Sequence, residues 1–430
     1  MDAKEKQVQV RFSTKLPPEL QVANTPFSVP SHLTRYGLSE VINALLGLEK
    51  PKPFDFIVEG DLIRTSLEKL LLAKNLSAET ILNIEYTPAL VPPQLQASHK
   101  GEDWFSAVNG SNSRYVFTGS YDGIARGWRA NGQCSFSLEG HNEAITSVAV
   151  MPTEDESTME LLTASKDRSL RFWQITDQGL PDSLTKRAAA SKVLKGHSSS
   201  VQCVSASPSG NECCSGSWDS TILLWHLSAK SSIDEEHTII KRRKLDDYAT
   251  PNTFEEVEVA PRCTLKGHTQ CVSSVEWVEA ETVFSASWDH SLRGWNVEAE
   301  VNNLTISCSK ALHCLSVGGE GSSLLAAAGA DPIIRIWDPR MPGTVAPIQQ
   351  LTSHKSWISV CKWHRRSPYH LLSASHDGSV KVWDIRSKIP LQSLEGHKDK
   401  VMCADWWKGD SIVSGGADCQ LQIYSNLRVN

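Results

Sequence analysis

The sequence predicts an all-β propeller of seven blades preceded by a small α+β domain, and three observations carry that reading. First, an Asp stands six residues before a Trp, or once a Tyr, at Asp122/Trp128, Asp167/Trp173, Asp219/Trp225, Asp289/Trp295, Asp331/Trp337, Asp377/Trp383 and Asp418/Tyr424. The Asp-to-Asp steps of 45, 52, 70, 42, 46 and 41 residues set the period of a stacked or closed repeat array. Second, the segments between these pairs are short β-rich runs bounded by Gly, Asp, Ser and His, the pattern of antiparallel strands and tight turns. Third, the first ninety residues lack the repeat and alternate strand-like with helix-like periodicity.

The third unit shows the plan. Leu194-Lys195-Gly196-His197 is a turn, Val201 to Ala206 a strand, and Cys213 to Ser217 a second strand. Trp218-Asp219-Ser220 turns the chain into a third strand, Thr221 to Trp225. The fourth unit repeats it with Leu265-Lys266-Gly267-His268, Val283 to Ser287, Trp288-Asp289 and Ser291 to Trp295. A four-stranded sheet with two apolar faces cannot bury both alone, so successive sheets must stack radially.

These residues make 95–424 similar to the WD40 repeat family. Gly-His dipeptides stand at Gly140-His141, Gly196-His197, Gly267-His268 and Gly396-His397, with Ser353-His354 a weakened copy. The resemblance implies that the turn Asp accepts hydrogen bonds from that His and the neighbouring backbone. It also implies that a Ser or Thr of the second strand links them to the Trp indole. His197, Ser215, Asp219 and Trp225 would form one such structural network. Two units depart from the pattern. The fifth lacks Gly-His, with His313 displaced and Ala330-Asp331-Pro332 at its turn, and the seventh ends in Tyr424. Both are expected to lack the network. Leu95 to Trp104 matches the register of the segment from Leu138, and only six residues follow Tyr424. Residues 93–98 are therefore expected to supply the last blade's outer strand and remove an open edge.

Composition narrows the function classes. At 430 residues the chain exceeds the usual single-core size. A net charge of -6 gives no global footprint for nucleic acid, leaving direct RNA contact open. No apolar run approaches the roughly 18–20 residues that span a bilayer, and no apolar signal core follows the charged N-terminus. The eleven Cys are odd in number and form no CxxC, which suggests neither a disulfide framework nor a zinc site and favours buried free thiols. The sequons at Asn75 and Asn303 are then expected to stay unused. Repeat-spaced His could suggest a metal, but each falls in a different unit and none converges. No nucleophile elbow, phosphate loop or HExxH is present, so no catalytic residue and no cofactor of the chain's own is expected.

Residues 1–90 form a separate domain, with the propeller over 93–430. Val8, Val10 and Phe12 alternate, as do Phe54, Phe56 and Val58, and Leu82, Ile84 and Tyr86; these are strands. Leu38, Val41, Ile42, Leu45 and Leu46 mark one helix face ended by Gly47. Thr65-x-x-Glu68 reads as a capping box for a second short helix. That order is similar to ubiquitin-like domains. Arg35-Tyr36-Gly37-Leu38-Ser39-Glu40, Pro53-Phe54-Asp55-Phe56, Arg64-Thr65-Ser66-Leu67 and Glu85-Tyr86-Thr87 further resemble the N-terminal domain shared by two ribosome-assembly families. One is Notchless; the other is the WD-repeat subunit of the PeBoW complex, with Pescadillo and the Bop protein. Seven recognisable blades, rather than eight, favour the second.

The resemblance implies a non-enzymatic assembly factor for the large (60S) ribosomal subunit and pre-rRNA processing, in the nucleus and nucleolus. Its propeller would dock the Bop protein with Pescadillo. Its ubiquitin-like domain would bind the metal-ion-dependent adhesion site of the AAA ATPase Midasin, for release from the pre-60S particle. An acid in the Leu76-Ser77-Ala78-Glu79 turn, Glu79, would complete the Mg²⁺ shell in trans, and Mg²⁺ takes hard oxygen ligands. Glu59 and Asp61 are its nearest competitors. The long step between Asp219 and Asp289 holds an insert, about 227–261, expected to be disordered from its low apolar content. Its Lys241-Arg242-Arg243-Lys244 run fits a nuclear localisation signal. Rival readings are a Notchless-type factor, a ubiquitin-ligase substrate adaptor and a phosphopeptide or chromatin reader with an Arg-rich rim. Trp357, Arg365, Arg366 and Trp407 read equally as surface contacts or as packing.

Overall fold

A computed structural model of the chain describes residues 6–48, 50–77, 80–90, 92–153, 157–177, 185–227, 257–319, 321, 323–341 and 346–427. They divide into two compact units, one made chiefly of the chain up to Val91 and the other of the chain from Pro92 onwards.

In the first unit the alternating segments are strands β1 (Gln7–Ser13), β2 (Pro26–Pro30), β3 (Phe54–Val58), β4 (Asp61–Leu62) and β5 (Leu82–Pro88). They form one mixed sheet in the order β2-β1-β5-β3-β4. β1 and β5 run parallel at its centre, and the other neighbours pair antiparallel. Helix α1 (Arg35–Leu46) buries Leu38 and Ile42 in the same core as Val8, Val10, Phe12, Phe54, Phe56, Ile84 and Tyr86. Gly47 ends it at φ 61°, a left-handed position that costs glycine little. The Ser39 hydroxyl donates to the Lys52 carbonyl and accepts from the Phe54 N–H, tying the helix to the start of β3. Helix α2 (Leu67–Lys74) starts from Ser66 without any side-chain cap, so the expected Thr65/Glu68 capping box is not formed. The Leu67 and Glu68 N–H groups donate instead to the carbonyls of Leu33 and Ser31. Tertiary backbone contact thus satisfies the helix start that a local motif was expected to serve.

The second unit is a β-propeller whose described strands form seven sheets of four or five strands. In each, the repeat Asp occupies the turn between the second and third strands, as at Asp219 between Glu212–Ser217 and Thr221–His226. The first strands of all seven sheets line a central channel of about 970 Å³. The repeat Trp is buried not in a core of its own sheet but against the preceding one. Trp173 lies with Tyr115, Phe117 and Phe136, Trp225 with Leu162 and Phe172, and Trp337 with Ala286, Leu292 and Ile306. Truncating one such ring costs on the order of 3–5 kcal/mol, so the period in sequence is the period of inter-sheet packing.

The ring also closes by this rule. Trp128 of the first sheet packs with Val413, Leu421 and Ile423 of the last. At the same seam a Cβ on Gly415 would lie 2.6 Å from the Phe105 Cβ, so only glycine lets the two sheets approach. Strand β6 (Gln94–Lys100) pairs antiparallel with Gln420–Ser425, which supplies the outer strand expected from residues 93–98. Hydroxyls stitch neighbouring first strands together: Thr146 donates to the Val201 carbonyl at 2.8 Å, Ser273 to Leu312 at 2.7 Å and Ser359 to Val401 at 2.7 Å.

Two outer edges carry a fifth, parallel strand. Lys186–Ala188 lies along Cys134–Leu138, and Val257–Val259 along Lys192–Lys195. Each comes from the connector between the third and fourth strands of the next sheet, so these connectors cover a neighbour's exposed edge. Val257–Val259 falls inside the insert expected to lack structure. The composition of the long acidic and basic stretch masked the β-branched Val-Glu-Val at its end, which an available sheet edge converts to strand. The rest of that insert, 228–256, lies outside the described residues, and Lys241, Arg242, Arg243 and Lys244 with it.

Candidate functional site

The repeat histidines are each committed inside their own sheet. In the third, His197 Nδ1 stands 2.9 Å from Asp219 Oδ2 and Nε2 stands 2.8 Å from Ser215 Oγ, while the Trp225 indole donates to the same Oγ at 2.8 Å. One proton assignment satisfies every atom. Nδ1–H donates to Asp219, the Ser215 hydroxyl donates to Nε2, and the Trp225 N–H donates to the Ser215 oxygen. The Ser198 and Thr221 N–H groups also donate to Asp219. Thr163 or Ser285 takes the place of Ser215 in the sets His141/Asp167/Trp173 and His268/Asp289/Trp295. His354 binds Asp377 and Ser373 in the same way.

Electrostatics follow from this geometry. Burial by itself would raise the Asp219 carboxyl, but the hydrogen bonds from His197 and Thr221 outweigh it and hold the group well below the usual range. Asp167 and Asp377 shift the same way, and Asp289 is held at about 2 against burial by Ser291 and His268. His268 and His354 shift down because burial outweighs their Asp partners. The lowered carboxyls stabilise the fold at neutral pH, whereas the lowered imidazoles contribute nothing there and destabilise it in acid. The lowered carboxyls contribute fully above about pH 3.9, and that contribution is lost as pH falls toward their folded values. The lowered imidazoles make the unfolded chain take up protons first, so stability already falls below about pH 6.5. The thermal midpoint is expected to drop between about pH 6.5 and 5 and more steeply below about pH 4. A midpoint that rises over the first interval would contradict this assignment.

Two sheets use a different partner for Asp. Asp331 takes both terminal nitrogens of Arg335, at 3.0 and 2.6 Å. The Trp337 indole nitrogen finds no acceptor among the described residues, so the fifth unit lacks the network as expected. Asp122 likewise pairs with Arg126 at 2.6 Å, a departure that the sequence pattern hid. Its register match carried the strand but not the histidine. Tyr121 and Lys166 donate to the carbonyls of Trp104 and Ala144, which places Gly101 where the next unit has His141. The seventh sheet corrects the expectation. It keeps His397 bound to Asp418 at 3.1 Å and to Ser414 at 2.8 Å. Only the last link changes: the Tyr424 hydroxyl donates to Gln422, whose amide donates to the Gly396 carbonyl.

Glu59 and Asp61 lie beside the C-terminal end of α2. Lys74 pairs with Glu59 at 3.4 Å and Asp61 at 2.9 Å, and donates to the Val58 carbonyl at 2.9 Å. Both competitors of Glu79 therefore share one lysine, which offsets only one of their two charges. Asn75 ends the helix at φ 52°, and Thr80 donates its hydroxyl to the Ser77 carbonyl at 2.8 Å. Glu79 itself lies outside the described residues. Among the described residues, no group of three or more His, Cys, Asp or Glu is gathered to hold an ion.

At one mouth of the channel, five rings from four consecutive sheets pack into a ridge. Trp218 meets Trp288 edge-on at 4.8 Å, and Trp288 meets His313 edge-on at 5.7 Å. His313 stacks on Trp357 at 5.6 Å, and Trp357 reaches His376 at 6.0 Å. Trp218, Trp288 and His376 each precede a repeat Asp, whereas His313 and Trp357 stand at the start of their first strands. The sequence reading weighed only Trp357 of these. Trp407, weighed beside it, is a core residue at 1% exposure, and Arg365 and Arg366 are exposed. Within the channel, burial opposes the Lys362 charge, but Glu276 and Asp405 outweigh it and keep the ammonium protonated.

Comparison with known proteins matches this architecture. Residues 8–71 match the family described as NLE (NUC135) domain. The family described as WD domain, G-beta repeat matches 132–174, 189–226, 260–296, 345–384 and 388–425. These five stretches contain the five His-bound Asp residues; the unmatched units are those in which Arg126 or Arg335 replaces the histidine. The chain is 49% identical over 430 positions to a ribosome biogenesis protein WDR12 homolog of Oryza sativa subsp. japonica, covering 99% of this chain and 98% of that protein. It is 48% identical to the Arabidopsis thaliana homolog over 99% and 98% of the two chains. It is 34% identical to the ribosome biogenesis protein YTM1 of Saccharomyces cerevisiae (strain ATCC 204508 / S288c), over 97% of each. With such identity along nearly its whole length, the chain belongs to the WDR12/YTM1 family of ribosome biogenesis proteins.

Proposed function

We propose that this chain is a non-enzymatic assembly factor for the large ribosomal subunit, acting in pre-rRNA processing in the nucleus and nucleolus. The propeller, read as a closed seven-bladed ring, docks the Bop protein and with it Pescadillo. The N-terminal unit is read as a ubiquitin-like domain that offers Glu79 to the metal-ion-dependent adhesion site of Midasin. The observation that carries this reading is the joining of an NLE domain to WD repeats in one chain that matches ribosome biogenesis proteins end to end. The β2-β1-β5-β3-β4 sheet with α1 in its core supports the ubiquitin-like assignment.

In this mechanism the chain supplies geometry and a single carboxylate. The His-Asp networks and inter-sheet Trp residues make the propeller a stiff body. One carboxylate suits a Mg²⁺ ion that keeps its other ligands on Midasin, and force from that ATPase would pull the propeller and its partners from the pre-ribosome. The test is reconstitution of the purified full chain with the Bop protein. A stable complex on gel filtration is expected, whereas a Notchless-type factor would elute alone.

A further inference from the structure

We propose that the aromatic ridge at the channel mouth docks an acidic segment of a protein partner, one that places an apolar or aromatic side chain against the rings. This rests on the reading that the propeller docks a protein and specifies where and by what chemistry. The ridge presents its rings at the surface: Trp218 is 47% exposed and Trp357 is 51% exposed. They sit on short turns and strand starts fixed by the sheets beneath them, so little side-chain freedom remains to be lost on binding. Exposed Trp on a rigid frame is the residue type that dominates protein interfaces.

Charge selects the partner. Burial lowers the affinity of His313 and His376 for protons, so the ridge itself carries no charge at neutral pH. Its rim on the fifth to seventh sheets does. Lys310, Lys355, Lys398 and Lys400 are exposed on the loops that enter the first strands, against Glu395 and Asp399. The turn acids beside them, Asp377 and Asp418, keep their charge but are almost buried, each accepting from the imidazole of His354 or His397. An uncharged aromatic centre with a basic rim complements carboxylates flanking an apolar anchor.

Aromatic rings beside lysines could also serve single-stranded RNA, which stacks bases on open ring faces. The packing argues against it. Trp357 has His313 stacked on one side at an interplanar angle of 25° and His376 tilted at 34°. Trp288 is met by both Trp218 and His313. His313 and His376 thus occupy space beside the Trp357 ring in which a base would have to stack.

The experiment uses the purified full chain and four fluorescent probes: a short Asp/Glu-rich peptide with one central Trp, the same peptide with Ala for Trp, the same with Lys for every acid, and oligouridine. The acidic Trp peptide is expected to bind best. Trp357→Ala, and separately Lys310→Glu with Lys355→Glu, should each weaken it about tenfold without shifting the unfolding midpoint of the chain. Failure of the wild-type chain to bind that peptide overturns the proposal, as does equal binding of the Ala or Lys peptide. So does oligouridine binding more tightly and losing affinity with Trp357→Ala. Complex formation with the Bop protein, measured on the same wild-type preparation, separates the two readings. Its absence defeats partner docking itself, whereas a chain that binds Bop without peptide selectivity defeats only the ridge.

Discussion

Replacing Glu79 with Ala is expected to abolish Midasin binding while leaving the fold and the Bop complex intact. A carboxylate that completes a metal shell is a single-residue anchor. Its loss should weaken the interaction about 100-fold or more, the scale of a strong interface hot spot. The nearest competing acid gives the control: Glu59→Ala should change Midasin affinity little. Glu79→Asp keeps an oxygen ligand on a shorter arm and should retain part of the affinity. Chelation of divalent cations should reduce wild-type binding to the level of Glu79→Ala. Unchanged affinity in the Ala variant would remove the role assigned to this residue.

The second large effect is on stability. Asp219 accepts from His197, from the Ser198 and Thr221 N–H groups and from the Thr221 hydroxyl. Asp219→Ala leaves those donors without their acceptor and a buried imidazole without its orienting charge, a loss of about 3–5 kcal/mol. For a domain of this size, at about 2.1 cal/mol/K of unfolding entropy per residue, that corresponds to a fall in the unfolding midpoint of roughly 4–7 °C. Ser215→Ala removes the link between His197 and Trp225 and should cost less, about 1–3 kcal/mol. The Asp219→Ala midpoint should also lose part of its dependence on pH in the carboxylate range. A shift within about 2 °C of wild type would show that the network orients the turn without stabilising it.

The repeat made most of the propeller legible. Asp and Trp are fixed in spacing because one closes a turn and the other packs onto the preceding sheet, so chemistry and periodicity coincide. The closing strand β6 could be read from the shortage of residues after Tyr424. Where a different residue type performs the same task, the pattern failed. Arg126 and Arg335 bind their Asp from four residues downstream, a spacing as regular as the histidine's. Tyr424 was read as the loss of a network whose histidine half persists. The capping box before α2 failed because Leu33 and Ser31, distant in sequence, already satisfy that helix start. The aromatic ridge was least legible of all. Its rings come from four sheets and become neighbours only when the ring is assembled, and in sequence each is a lone Trp or His beside a turn.

The measurement that bears most directly on the account is affinity purification of the wild-type and Glu79→Ala chains from nuclear extract, side by side, with identification of the retained proteins. The account predicts Bop, Pescadillo and Midasin with the wild type, and Bop and Pescadillo without Midasin for the variant. Recovery of cullin components in place of Bop and Pescadillo, or equal Midasin on both chains, would contradict it.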